Sequence, residues 1–197
     1  MNPVLEKILG DQPDTYTVTQ ITNQGGYANS RILHARKGDL HRIETEQAGI
    51  KIIVITRPDL KKAFMLRPDK KLYTEMANSN PPIARVDPFN LEQTRSLAPR
   101  NVKIEDLGTD TFDGHPCRKY RISFDQASQV QKVTLWKATD LKDLIVREEQ
   151  EFLNTKSSFE LRDIKFEVSP DLFELPKDYK QVQSNQEMFQ RPKNEAN

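Results

Sequence analysis

Eleven stretches of this chain alternate apolar and polar residues with a period of two, and nearly all are joined by turns too short to hold a helix. Strands joined this tightly pair antiparallel, because a parallel pair needs a crossover of about a dozen residues or more. The stretches run 15–21, 28–36, 40–46, 50–57, 62–67, 71–76, 102–112, 115–124, 130–138, 141–150 and 157–168. A sheet that large must curl, close or split. The pattern therefore predicts a mainly β chain: a single curved antiparallel sheet of about eleven strands, a half-barrel, with a few helices over its concave side.

The turns set the register. Arg57-Pro58-Asp59-Leu60-Lys61-Lys62 is echoed ten residues on by Arg67-Pro68-Asp69-Lys70-Lys71. Proline presets φ for a turn and aspartate supports it through its side chain. Two such turns make a three-strand meander of 50–57, 62–67 and 71–76. That register places Ile55 near Phe64 and aligns Ile53, Leu66 and Tyr73 across one face. The strand around Ile53 is apolar on both faces, as expected of a strand covered on both sides. Asp113-Gly114 signals a tight hairpin. In the last strand the apolar residues change parity between Phe159 and Leu161 on one side and Ile164, Phe166 and Val168 on the other, which predicts a bulge or a change of covered face near Asp163.

Two segments read as helical. Pro3 to Gly10 carries Val4, Leu5, Ile8 and Leu9 at helical spacing. Within the proline-rich stretch 78–99, Asp87 is placed to cap a helix with Phe89, Thr94 and Leu97 inward. We read this stretch as a crossing loop and helix over the sheet. Ser169-Pro170-Asp171 can start one helical turn, with Phe173 and Leu175 plugging one end of the sheet. The expected domain is 1–180, followed by a polar tail at 181–197.

A net charge of +1, with both signs spread along the chain, argues against nucleic acid as a partner. No run reaches the roughly 20 apolar residues of a membrane span, so an integral membrane protein is not expected. Cys117 is the only cysteine, which leaves no internal disulfide and no thiolate metal cluster.

Several residues with chemical potential have plainer readings. His34 and His41 flank a turn with Glu44 and Glu46 nearby, an imidazole–carboxylate set, but without repeated ligand spacing the set reads as a solvated hairpin. His115 and Cys117 lie two apart on a strand and so share a face. No oxyanion loop or third orienting residue accompanies them. Gly25-Gly26 lacks the ending of a phosphate loop, and Trp136 reads as core or sheet surface. No catalytic residue, metal or cofactor is expected. The best candidate for a ligand wall is the apolar row Ile53, Ile55, Phe64, Leu66 and Tyr73.

The run from Leu107-Gly108-Thr109 through Asp113-Gly114-His115-Pro116-Cys117 to Tyr120, then Leu135-Trp136, then Leu172-Phe173-Glu174-Leu175-Pro176-Lys177-Asp178-Tyr179 resembles the LolA-like superfamily of bacterial envelope proteins. The resemblance covers roughly residues 14–180. That superfamily includes lipoprotein carriers, glycolipid-binding relatives and an envelope-stress sensor domain. This chain lacks the carriers' Arg-Pro-Gly-Phe-Arg-Trp-like block and resembles another branch. The resemblance implies a non-enzymatic protein of the periplasm or cell envelope, its export signal removed. Its partner would be an apolar ligand or a lipid-bearing protein. The alternative is a protein-binding or stress-sensing module with a filled interior.

Overall fold

The computed structural model describes residues 8–10, 13–25, 30–77, 102–126, 129–152 and 155–190. All eleven expected strands are there: β1 Thr15–Gln24, β2 Ser30–Lys37, β3 Leu40–Gln47, β4 Ile50–Arg57, β5 Lys62–Arg67, β6 Leu72–Ala77, β7 Val102–Phe112, β8 His115–Gln126, β9 Gln129–Ala138, β10 Leu144–Phe152 and β11 Thr155–Lys165. A twelfth, β12 Lys180–Gln181, was not expected. The sheet order is β12-β6-β5-β4-β3-β2-β1-β11-β10-β9-β8-β7, with β12 and β7 at its two ends. The meanders pair antiparallel, whereas β12 pairs parallel to β6. The fold class read from the sequence is the one observed.

Turn chemistry agrees residue by residue. Asp113 and Gly114 both take positive φ, 52° and 84°, as a two-residue type I′ hairpin requires. Asp163 takes φ 55°, at the position where the apolar parity of β11 changes. One boundary differs from expectation. β10 begins at Leu144 rather than at 141, because Lys142 and Asp143 are both left-handed and belong to the turn.

The chain divides into two compact units. The first holds β7 to β11 and most of β1. Its apolar cluster is Ile8, Leu9, Ile122, Leu135 and Ile145, with Val102, Ile104, Tyr120, Phe124 and Val133 packed against it. A register shift between Ile145 and Arg147 lets two residues of like parity face opposite sides. Ile145 pairs with Lys137, and Arg147 pairs with Trp136 on the other face.

There Trp136 is 6% exposed. It lies beneath the Lys119 ammonium, 4.3 Å from the ring centre, and the Arg147 guanidinium at 5.0 Å. Phe112 is flanked by Arg147 at 5.3 Å and Arg162 at 5.2 Å. Lysine and arginine cations thus stack on two aromatic rings.

The second unit holds β3 to β6, most of β2, β12 and residues 165–190. Its cluster is Ala35, Ile53, Ile55, Phe64, Leu66 and Phe173, joined by Leu40, Tyr73, Val168, Leu172, Leu175 and Tyr179. Alternation puts His34, Ile43, Val54, Met65 and Thr74 in one row on the opposite face.

Residues 181–190, expected as part of a polar tail, are a correction. Gln181 is in β12, Val182 is 5% exposed, and Asn185–Phe189 is a short helix with Met188 fully buried. Val182 and Met188 are the apolar side chains this stretch buries. Ile8 and Leu9 are helical and buried. The rest of the expected helix before them, and the expected loop and helix at 78–99, lie outside the described residues.

The turn at Pro170–Phe173 forms as its sequence signals. Pro170 stands in the first turn, and the Ser169 hydroxyl accepts the Asp171 N–H at 3.4 Å. Phe173 is fully buried by it. Phe173→Ala is expected to cost about 3–5 kcal/mol of folding stability, read by urea denaturation. A midpoint equal to wild type would show that the ring does not anchor this segment.

Candidate functional site

The five predicted ligand-wall residues come together. Ile53 pairs with Leu66 and Ile55 with Phe64, and Leu66 pairs in turn with Tyr73. All five therefore share the Ile55 face of β4, β5 and β6. Ile55 and Leu66 are fully buried, Ile53 and Phe64 nearly so. The Tyr73 ring meets Phe64 edge-on, with centroids 6.1 Å apart and planes at 70°, and its hydroxyl donates to Gln181 Oε1 at 3.2 Å. Phe173 packs into the same cluster with Leu172 and Leu175 alongside.

The segment from Ser169 to Gln190, here called the strap, is held by three arginines that bind its main chain. Arg42 Nη1 donates to the Leu172 carbonyl at 3.0 Å and Arg57 Nη1 to the Phe173 carbonyl at 3.3 Å. Arg67 Nη1 donates to the Met188 carbonyl at 2.9 Å.

Each guanidinium is oriented by a carboxylate two residues along: Glu44 for Arg42, Asp59 for Arg57 and Asp69 for Arg67. Arg57 also meets Glu174 at 2.8 Å. Bonding to Arg57 and Arg67 holds the Asp59 and Asp69 carboxyls below their ordinary values. At Glu44, burial pushes the carboxyl up, but bonds from Lys51 and Arg42 outweigh it, and the net shift is downward.

The two Arg-Pro-Asp turns are thus two copies of one clasp, and the hairpin between them decides which face each serves. Arg57 follows Ile53 and Ile55 in alternation and lies on their face. On β5 the partners of that face are Phe64 and Leu66, so Arg67 points to the Val54 side. The strap is gripped on the Ile55 face at Phe173 and on the Val54 side at Met188. Between them β12 lines the β6 edge, with Lys180 N–H donating to the Lys71 carbonyl and Val182 N–H to the Tyr73 carbonyl, each at 2.8 Å. The short helix ends against Lys70, whose Nζ donates to the Gln190 carbonyl at 2.8 Å. Sequence reasoning found these turns but not the clasps. The signal available was the arginine placed directly before each Pro-Asp.

The other candidates separate. His34 and His41 share one face of the β2–β3 hairpin, while Glu44 and Glu46 point to the other. Among the described residues no three His, Cys, Asp or Glu side chains are grouped to hold a metal ion. His115 Nδ1 lies 2.8 Å from Asp140. The Cys117 thiol donates to the His115 carbonyl at 3.4 Å, and burial pushes it up, away from the thiolate. The Trp136 indole N–H donates to Asp110 at 2.8 Å. This bond, with those from the Thr111 N–H and the Lys119 ammonium, lowers the Asp110 carboxyl to about 2. Among the described residues no helix is long and apolar enough to cross a membrane.

The sequence matches, over residues 17–158, the family model described as Domain of unknown function (DUF4412). The chain belongs to that family. No curated protein matches it. The crystal structure of LprF from Mycobacterium bovis aligns with a TM-score of 0.52 at 13% identity, covering 91% of this chain and 99% of that one. The lipoprotein LppX from Mycobacterium tuberculosis aligns at 0.49 and 13% identity, over 80% of this chain and 89% of the other. A LolA superfamily protein from Nitrosomonas europaea aligns at 0.31 and 14% identity, over 86% and 93%. The likeness to LprF is one of fold.

Glu148 sits on the apolar face of the first unit. Glu148 pairs with Leu135 and Phe159, and Leu135 pairs with Tyr120. Gln150 donates to its carboxylate. Burial nevertheless pushes the Glu148 carboxyl above its ordinary value. A carboxyl raised in the folded state binds its proton more tightly there. Its stabilising contribution is complete below the unfolded value of 4.5 and is lost as pH rises through the folded one. Denaturation midpoints from acid to neutral pH are expected to show Glu148→Gln gaining on wild type as pH rises. Parallel curves would show that Glu148 is solvated.

Proposed function

We propose that the protein is a non-enzymatic binder or carrier of an apolar group, an acyl chain or a lipid, in the bacterial envelope. The group would be taken up on the face of Ile53, Ile55, Phe64, Leu66 and Tyr73. The observation that carries the reading is this face itself. Five large apolar side chains from three adjacent strands form one surface, and its described cover is a short turn and strap rather than a second sheet. The resemblance of the sequence to the LolA-like superfamily supports the reading, because that superfamily includes lipoprotein carriers. Affinity would come from desolvation at about 0.8 kcal/mol per buried methylene, without specific polar contacts. The envelope setting and the absence of catalysis belong to the same proposal.

A second reading has its own observation. Phe173 fills the cluster in the structure, as it would in a partner-binding module with a solid interior.

Titration with the fluorescent fatty acid dansyl-undecanoic acid decides between them. Wild type is expected to bind, and Phe64→Asp to lose binding, because a buried unpaired charge is costly, with circular dichroism showing an intact sheet. A wild type that binds neither this probe nor host lipid in native mass spectrometry leaves the partner-binding module.

A further inference from the structure

We infer that the strap is the gate of the apolar face and that Phe173 holds the place of the ligand in the closed state. The inference rests on the proposed function and adds how the site is opened. Four observations carry it. Phe173 is fully buried in the cluster formed by the proposed ligand wall, so ligand and ring compete for one volume. The three arginine contacts with the strap go to main-chain carbonyls of Leu172, Phe173 and Met188, groups that water satisfies equally well once the strap leaves.

The centre of the strap is weakly held. β12 is two residues long, pairs parallel at the sheet edge, and is backed by a Lys71–Asp178 ion pair whose side chains are 65% and 60% exposed. Such a pair contributes little. Finally, only six residues, among them Pro176, separate Phe173 from Lys180. With β11 ending at Lys165 on one side and β12 fixed on the other, the ring has little slack to leave the face. Release of β12 from β6 is therefore the opening step.

The geometry supplies its own lock. Leu72 and Lys180 are direct partners across the β6–β12 pair, and neighbouring strands lie about 4.7–4.9 Å apart, within the span of a disulfide. The double variant Leu72→Cys/Lys180→Cys can be read oxidised and reduced in the same preparation, and Cys117 is buried. The measurements are stopped-flow association of dansyl-undecanoic acid and circular dichroism of both forms.

The oxidised form is expected to bind roughly tenfold more slowly than the reduced form, or slower still, because the lock removes the open state that binding requires. Dithiothreitol should restore wild-type rates. Phe173→Ala, which empties the ring's volume, is expected to bind the probe more tightly than wild type. Equal rates in the oxidised and reduced forms overturn the gate and leave the apolar-ligand reading standing. Weaker binding by a folded Phe173→Ala overturns the placement of the ring in the ligand volume. Absence of probe binding by wild type and by the reduced variant overturns the ligand reading, and the gate with it.

Discussion

The second unit depends on the contact between Phe173 and the Ile55 face, because this face cannot be left in water. Five large apolar residues there would each lose on the order of 1.5–3 kcal/mol if uncovered. The cover comes from the far end of the chain. A single helical turn started by Pro170 and capped by Ser169 aims the Phe173 ring at Ile55 and Leu66. Arginine-to-carbonyl bonds fix the turn at Leu172 and Phe173. Neither part suffices alone. The ring supplies apolar burial without direction, and the guanidinium groups supply direction with little net energy, since each replaces a hydrogen bond to water.

Alternation explains why one motif was used twice. A strand sends neighbouring residues to opposite faces, and a hairpin reverses direction without exchanging the faces. Repeating Arg-Pro-Asp ten residues later, one strand further on, carries the second arginine to the other side of the sheet. A strap that crosses the β6 edge meets one clasp before the edge and another after it. In the first unit the same rule is broken on purpose at the shift between Ile145 and Arg147. There a bulge sends Ile145 to the apolar cluster and Arg147 to Trp136, residues of like parity that an unbroken strand would leave on one side.

Most of the strand arrangement was legible because period-two patterning and turn residues speak locally. Asp113-Gly114, the paired Pro-Asp turns and the parity change at Asp163 each fixed a register without reference to distant parts of the chain. The five-residue apolar row followed from those registers. The strap was not legible, for a physical reason. Residues 181–190 are polar except Val182, Met188 and Phe189, and their order comes from guanidinium and main-chain contacts made across more than a hundred residues of sequence, such as Arg67 to Met188. Carbonyl recognition leaves no trace in the side chains of the recognised segment. The split of His34 and His41 from Glu44 and Glu46 was legible in principle. Register places the pairs on opposite faces as soon as the hairpin at Gly38 is fixed.

The strap's two ends differ from its middle in how they resist water. At one end Phe173 is fully buried, and at the other Met188 is, beside an Arg67 that is 7% exposed and stacked 5.6 Å from the Phe189 ring. Hydrogen bonds made by such shielded groups are stronger than those at the surface, because the competing solvent is excluded. The middle has main-chain bonds to β6 from Lys180 and Val182, the Tyr73–Gln181 side-chain bond and an ion pair open to salt screening. An element built this way fails from the centre outward, and raising ionic strength weakens the centre before it reaches the ends. Separation of the strap from β6 therefore precedes loss of the Met188 anchor, and the edge of β6 is exposed before either face of the unit is.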